Sequence, residues 1–258
     1  MIHRNQITRQ ADRDGLGAIP VERDYVLTHV LTGIHRHDTR SQMAFKGGTA
    51  LRLCHFDDYR YSADLDFSLI GGLDIAGASE LVEKALLDTK ERIGFPLLQL
   101  NDATPPRIEY VGPLEAKPRK LKLDLSDQEL VEKTVTLPVT CRYADQEPNE
   151  CLVYTLEEIA AEKLRCVLQR LQCRDLYDLN ELLVVHRVDA VAVWPAFERK
   201  ARHRDCEPDK FAGVFDDRAV EWERRWDAEL AEYVTEVPHF DAVLRAVRRE
   251  LRSTLARA

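Results

Sequence analysis

Residues 45–67, FKGGTALRLCHFDDYRYSADLDF, constrain this chain more than any other stretch. Gly47 and Gly48 stand ahead of Thr49-Ala-Leu-Arg-Leu, a run with good helix formers. Glycine permits a tight turn and a close backbone approach, and exposed amides at a helix start attract phosphate oxygens. A turn that needs glycine explains the pair equally well when it is read alone. Residues 64–69, DLDFSL, then alternate polar and apolar, which is strand periodicity. Asp64, Asp66 and Ser68 fall on one face of such a strand, and Leu65, Phe67 and Leu69 on the other. The two aspartates are about 6.6 Å apart along it, from the rise per residue. Carboxylates at that spacing repel unless a cation lies between them. Mg²⁺, which takes hard oxygen ligands and retains waters, suits the pair, as does Mn²⁺. A solvated strand face is the plain alternative, and the glycine turn just upstream favours the metal.

The rest of the composition narrows the setting. The chain has 258 residues, room for one large domain or two small ones, and 45% of them are hydrophobic. A net charge of -8 disfavours a globally basic nucleic-acid binder. No apolar run is long enough to span a membrane, and the first ten residues lack the apolar core of a secretory signal. The six cysteines form no CxxC pair, so reduced thiols in a cytoplasmic protein are expected, without a zinc site.

Along the chain, residues 1–20 read as a short helix or arm ending in a turn. Val26, Leu27, Val30, Leu31 and Ile34 recur at helical spacing in an amphipathic helix. His35 and His37 near its end read as solvated rather than as metal ligands. Residues 75–93 form a helix stopped by Gly94, and 96–100 and 107–111 read as strands. In 117–126, KPRKLKLDLS, leucines alternate with charged residues in a strand with one charged face. Residues 134–141 read as another strand, and the polar stretch 144–149 marks a domain boundary. From Leu156 on the pattern is helical, with Thr155 and Glu158 spaced as a capping box. Lys163 sits at the edge of the first apolar stripe. Trp222, Trp226 and Leu230 read as core, and Phe240–Leu255 as a last amphipathic helix with Arg245, Arg248, Arg249 and Arg252 on its polar side.

KGGTALRL followed by RYSADLDF resembles the AbiEii/AbiGii-type nucleotidyltransferase toxins, which include the MenT toxins. Their pattern is KGGTxL, a short loop, then R-aromatic-S-x-DLDF. Lys46, Gly47, Gly48, Thr49, Leu51, Arg60, Ser62, Asp64, Asp66 and Phe67 match it. The resemblance implies that Lys46, Gly47, Gly48, Thr49 and Ser62 contact the nucleotide and that Asp64 and Asp66 hold the metal. It also implies a third carboxylate on a neighbouring strand, for which Asp124 is the candidate, either as a base on the attacking hydroxyl or as a further metal ligand beside Asp64 and Asp66; an edge strand protected by its lysines is the alternative. The basic run 117–122 is a candidate contact for an RNA backbone.

The segment EKLRCVLQR-x₃-RDLYDL is similar to the family's later motifs, which carry a lysine and an aspartate. These map onto Lys163 and onto Asp178, with Asp175 as the other choice. On one straight helix Lys163 and Asp178 would be about 22 Å apart. If both act together, the chain must bend near residues 172–174.

The expected fold is α/β: an N-terminal nucleotidyltransferase domain with a mixed sheet and flanking helices over residues 1–150, then a helical domain over 151–258. The active site is expected in the cleft between them. The implied activity is transfer of a nucleotide from a nucleoside triphosphate (NTP) by the toxin of a toxin–antitoxin pair, with a cognate antitoxin as partner. MenT-type members act on the 3′ end of tRNA. A small-molecule or protein hydroxyl as acceptor, or a non-catalytic nucleotide-binding partner protein, are the alternatives.

Overall fold

A computed structural model describes residues 1–38, 40–101 and 103–255. The chain forms two compact units. One holds Met1–Gln128 with Thr134–Tyr154; the other holds Glu129–Lys133 with the chain from Thr155 onward.

The first unit is built on a mixed seven-stranded sheet. Its strands are β1 (Met43–Lys46), β2 (Asp64–Leu69), β3 (Leu97–Leu100), β4 (Arg107–Val111), β5 (Arg119–Ser126), β6 (Thr134–Pro138) and β7 (Glu150–Tyr154), in the order β3-β4-β5-β2-β1-β7-β6. The expected α/β class is therefore the observed one. The centre carries the chemistry: β1 runs antiparallel to β2, while β2 and β5 are parallel, as are β1 and β7. Phe45 and Phe67 face one another across β1 and β2 at 5.3 Å and anchor the sheet in the core. Their apolar neighbours Leu65, Leu121, Leu123 and Val153 are all buried.

Four sequence expectations change here. The strand 119–126 is interior, flanked by β4 and β2, so its lysines protect no edge. Glu150–Tyr154, most of which falls in the segment expected to be helical, is a full strand paired along β6 and touching β1. The helix α2 (Ala18–His37) is buried nearly all round rather than on one face, because its polar residues also find partners inside. Asp24 pairs with Arg52 and accepts a hydrogen bond from Tyr143 at 2.7 Å. His35 is likewise not solvated: its ring lies 5.9 Å from Phe67, and burial pushes it down to about 4, against a smaller upward pull from Asp38. Helices α1 (Arg4–Asp14) and α4 (Ile75–Ile93) complete the unit together with α3 (Gly47–Ala50), which runs directly into a wide π-type turn at Leu51–His55.

The second unit is helical: α5 (Leu156–Gln169), α6 (Cys173–Leu179), α7 (Ala190–His203), α8 (Phe211–Leu230) and α9 (Phe240–Leu255). Thr155 caps α5 by accepting from the Glu158 amide at 3.3 Å. Trp222 and Trp226 are buried in its core, as their spacing predicts. Among the described residues no helix is long and apolar enough to cross a membrane.

Candidate active site

The glycine pair and the paired acids meet in the first unit. β1 ends at Lys46, which lies in register with Asp66 on β2. The next residue, Gly47, has φ 79, a backbone conformation that favours glycine. A Cβ there would fall 2.6 Å from Asp66 Oδ2, so the backbone of the turn packs directly against the carboxylate. A Cβ on Gly48 would collide with the guanidinium of Arg60, which is buried behind the turn. Thr49 Oγ1 donates to the Asp64 carbonyl at 2.5 Å and ties the turn to the start of β2. Both glycines are thus required by close approach, and the approach is to the acids.

The strand alternation places Asp64 and Asp66 on one face, each half-buried, with Leu65 and Phe67 buried on the other. Ser68, on the face of the acids, is fully buried and accepts a hydrogen bond from the Tyr154 hydroxyl at 2.7 Å. The polar face is therefore closed at Ser68 and accessible at the two acids. On β5, Asp124 is in register with Asp66, and Lys122 with Asp64. The Asp124 side chain is half-exposed and pairs with Lys122 at 3.3 Å. Ser62 is buried and lies before β2 rather than on it, in the irregular segment that leads to Asp64.

The electrostatics of this face are unbalanced. Burial pushes the Asp66 carboxyl up to about 6, and the neighbouring charge of Asp64 adds to it. Lys46 and Lys122 pull the other way, and Asp124 raises it again. A carboxyl held up by burial and, to a lesser degree, by neighbouring carboxylates is one whose charged form a cation would stabilise. Among the described residues no group of three or more His, Cys, Asp or Glu side chains is gathered as a ligand shell. Two carboxylates still fit a hard divalent ion, because Mg²⁺ is commonly bound through one or two of them with substrate phosphates completing the shell. Asp64 and Asp66 are the residues that would hold it.

The basic run near β5 is largely neutralised. Arg119 pairs with Glu22 at 3.2 Å, and Lys120 with Glu109 at 3.1 Å. It offers less to an RNA backbone than its sequence promises. Arg248 of α9 is similarly paired with Asp216 at 2.6 Å.

In the second unit, α5 ends at Gln169 and α6 begins at Cys173. Arg170 and Gln172 are extended, with φ -143 and -130, so the helix does break, but at 170–172, just ahead of the 172–174 stretch where the bend is expected, and Cys173 already opens the next helix. The break folds α6 back along α5. Lys163 Nζ then reaches Asp178 Oδ2 at 2.6 Å and Asp175 Oδ1 at 2.9 Å. Arg170 clasps Asp175 from the other side, with its Nε at 2.8 Å from Oδ2. All three of Lys163, Asp175 and Asp178 are buried. Burial alone would raise the Asp175 carboxyl, but Lys163 and Arg170 together hold it below the usual carboxylate range. The two aspartates that the sequence offers as alternatives are both partners of the same lysine. Nothing in their spacing distinguishes them, since i and i+3 share a helix face.

Comparison with known proteins agrees with this architecture. The chain is similar in fold to MenT4, the nucleotidyltransferase toxin Rv2826c from Mycobacterium tuberculosis H37Rv, with a TM-score of 0.64 and 20% sequence identity, covering 97% of this chain and 88% of that one. No curated protein matches the sequence. The family described as nucleotidyl transferase AbiEii toxin, type IV TA system, matches residues 29–246, which include every residue of both clusters. The chain belongs to the AbiEii family of nucleotidyl transferase toxins of type IV toxin–antitoxin systems.

Proposed function

We propose that this nucleotidyltransferase transfers a nucleotide from an NTP to the 3′ end of tRNA, with Mg²⁺ or Mn²⁺ held by Asp64 and Asp66, and so blocks translation in the cytoplasm. The observation that carries the reading is the packing of Gly47 against Asp66: a backbone turn able to receive phosphates lies against a half-buried carboxylate. In this reading Lys46, Gly47, Gly48, Thr49 and Ser62 hold the triphosphate. A divalent cation, when bound, supplies Lewis-acid stabilisation of the phosphoryl oxygens. Asp124, in register with Asp66, accepts the proton of the attacking hydroxyl once Lys122 releases it. The hydroxyl oxygen bonds to the α-phosphorus, and the bond to the pyrophosphate oxygen breaks. Lys163 offsets negative charge on the triphosphate, and Asp178 and Asp175 orient that lysine.

The tRNA acceptor rests on the resemblance to MenT-type toxins. A cognate antitoxin is the partner that a toxin–antitoxin family implies. The test incubates pure protein with each labelled NTP, Mg²⁺ or Mn²⁺, and a tRNA pool. Label should enter tRNA with the wild-type chain and not with Asp64→Asn/Asp66→Asn. Label found only on a metabolite or a protein would replace the acceptor while keeping the chemistry. Nucleotide binding without turnover under any metal would remove both.

A further inference from the structure

The first unit carries a cavity whose lining is remote in sequence from its acid face. A cavity of about 560 Å³ is lined by α1 and by residues 142–144, and none of Lys46, Gly47, Asp64 or Asp66 contributes to it. Its wall carries three guanidinium groups, Arg9, Arg13 and Arg142, against one carboxylate, Asp12. This is a local excess of positive charge in a chain of net charge -8. Arg9 and Arg13 are four residues apart on α1 and so share a helix face. Among the described residues Arg9 has no hydrogen-bond or ion-pair partner.

Arg142 is the built part of the site. Its guanidinium donates to the carbonyls of Arg52 at 2.7 Å, Asp57 at 2.8 Å and Phe56 at 3.0 Å. Those are neutral acceptors, and its Nε is buried with no acceptor among the described residues. Tyr143, beside it, has its hydroxyl committed to Asp24 at 2.7 Å. Burial and the nearby charge of Arg52 push the Arg142 guanidinium below its ordinary range, with a partial counter-pull from Asp24. A part-buried cation held mainly by carbonyls is stabilised by an anion placed within reach.

We propose that this cavity is a second ligand site, for a small organic phosphate. Phosphate matches the guanidinium fork and supplies the two negative charges that three arginines and one aspartate leave unbalanced. The volume lies within the roughly 300–1,000 Å³ of ordinary small-molecule pockets, more than a bare ion requires.

The probe is adenosine monophosphate, titrated by calorimetry into the full chain carrying Asp64→Asn and Asp66→Asn, which disables the acid face. The same titration is repeated with Arg9→Ala and Arg13→Ala added. Both arginines are exposed on α1, so matching melting temperatures should show that the fold is kept. Saturable binding is expected in the first protein and at least tenfold weaker binding in the second, with adenosine binding to neither. No saturable binding in the first protein, or binding that the arginine changes leave intact, overturns the site. Loss of RNA binding in the arginine variant without any monophosphate binding also overturns it, in favour of a nucleic-acid surface.

Discussion

At Asp66 in the first unit, burial and like charges act together, and the carboxyl is pushed up to about 6. At Asp175 in the second unit, burial is outweighed by Lys163 and Arg170, and the carboxyl is held down. The first group is half-buried and unbalanced; the second is buried with its charges paired. Crowding Asp64, Asp66 and Asp124 onto one face of β2 and β5 does not stabilise the fold by itself, and it is this repulsion that the proposed metal would offset. The lysine cluster has a structural use as well, because it pins α6 to α5 across the helix break. Similar-looking motifs thus carry different expectations when altered.

The contrast breaks first at the acids. Asp64→Asn/Asp66→Asn should lower nucleotide transfer by roughly 10³- to 10⁴-fold, the several kcal/mol that metal-assisted charge stabilisation supplies. The melting temperature should stay level or rise, because the repulsion is gone. A large drop in melting temperature would make the acids structural. Lys163→Met should do the reverse in kind: about 3–5 kcal/mol of stability is lost when one member of a buried ionic cluster is removed. Urea denaturation followed by helix circular dichroism measures it. A stable but inactive Lys163→Met protein would move the lysine wholly to the chemistry.

A smaller effect separates the units by pH. His35 has a folded pKa of about 4, below its ordinary 6.5. Its neutral form is the native one, so its contribution is intact above pH 6.5 and is lost as pH falls towards 4. The stability of the wild type relative to His35→Phe should therefore drop by about 3 kcal/mol across that window. A flat difference curve would mean that the histidine is hydrated. Asp38, which pulls His35 upward, is the charged group to hold constant in that comparison. Gly47→Ala should show the smallest change in stability, roughly 1–2 kcal/mol for an alanine forced to positive φ. It should also impair transfer, since the new Cβ is directed at Asp66. Unchanged turnover would detach the turn from the acids.

Much of the candidate site is legible in sequence because its constraints are local. Two aspartates separated by one residue in a strand must share a face, and the turn at Gly47-Gly48 must be glycine where backbone meets side chain. Helix limits at Ile75–Ile93 and the cap at Thr155 follow from periodicity and from one hydroxyl. The role of α2 was not legible, because an aspartate in a helix pattern reads as solvated until Arg52 and Tyr143 are known to surround it. The pairing of Asp124 with Lys122 was equally hidden, since both residues lie on one strand face and either neighbour could claim them.

What the sequence determined by itself is therefore the set of local geometries: which side chains share a face, where the backbone turns, and where helices begin. Tertiary structure decided which faces meet. It set β5 inside the sheet next to β2, added β7 beside β1, and broke the helix at Arg170–Gln172 so that Lys163 contacts both aspartates. The physical reason is that periodicity acts over a few residues, whereas strand order and helix reversal are chosen by burial shared among segments far apart in the chain. No glycine or proline marks the break; the paired charges and the apolar stripes on either side of it do.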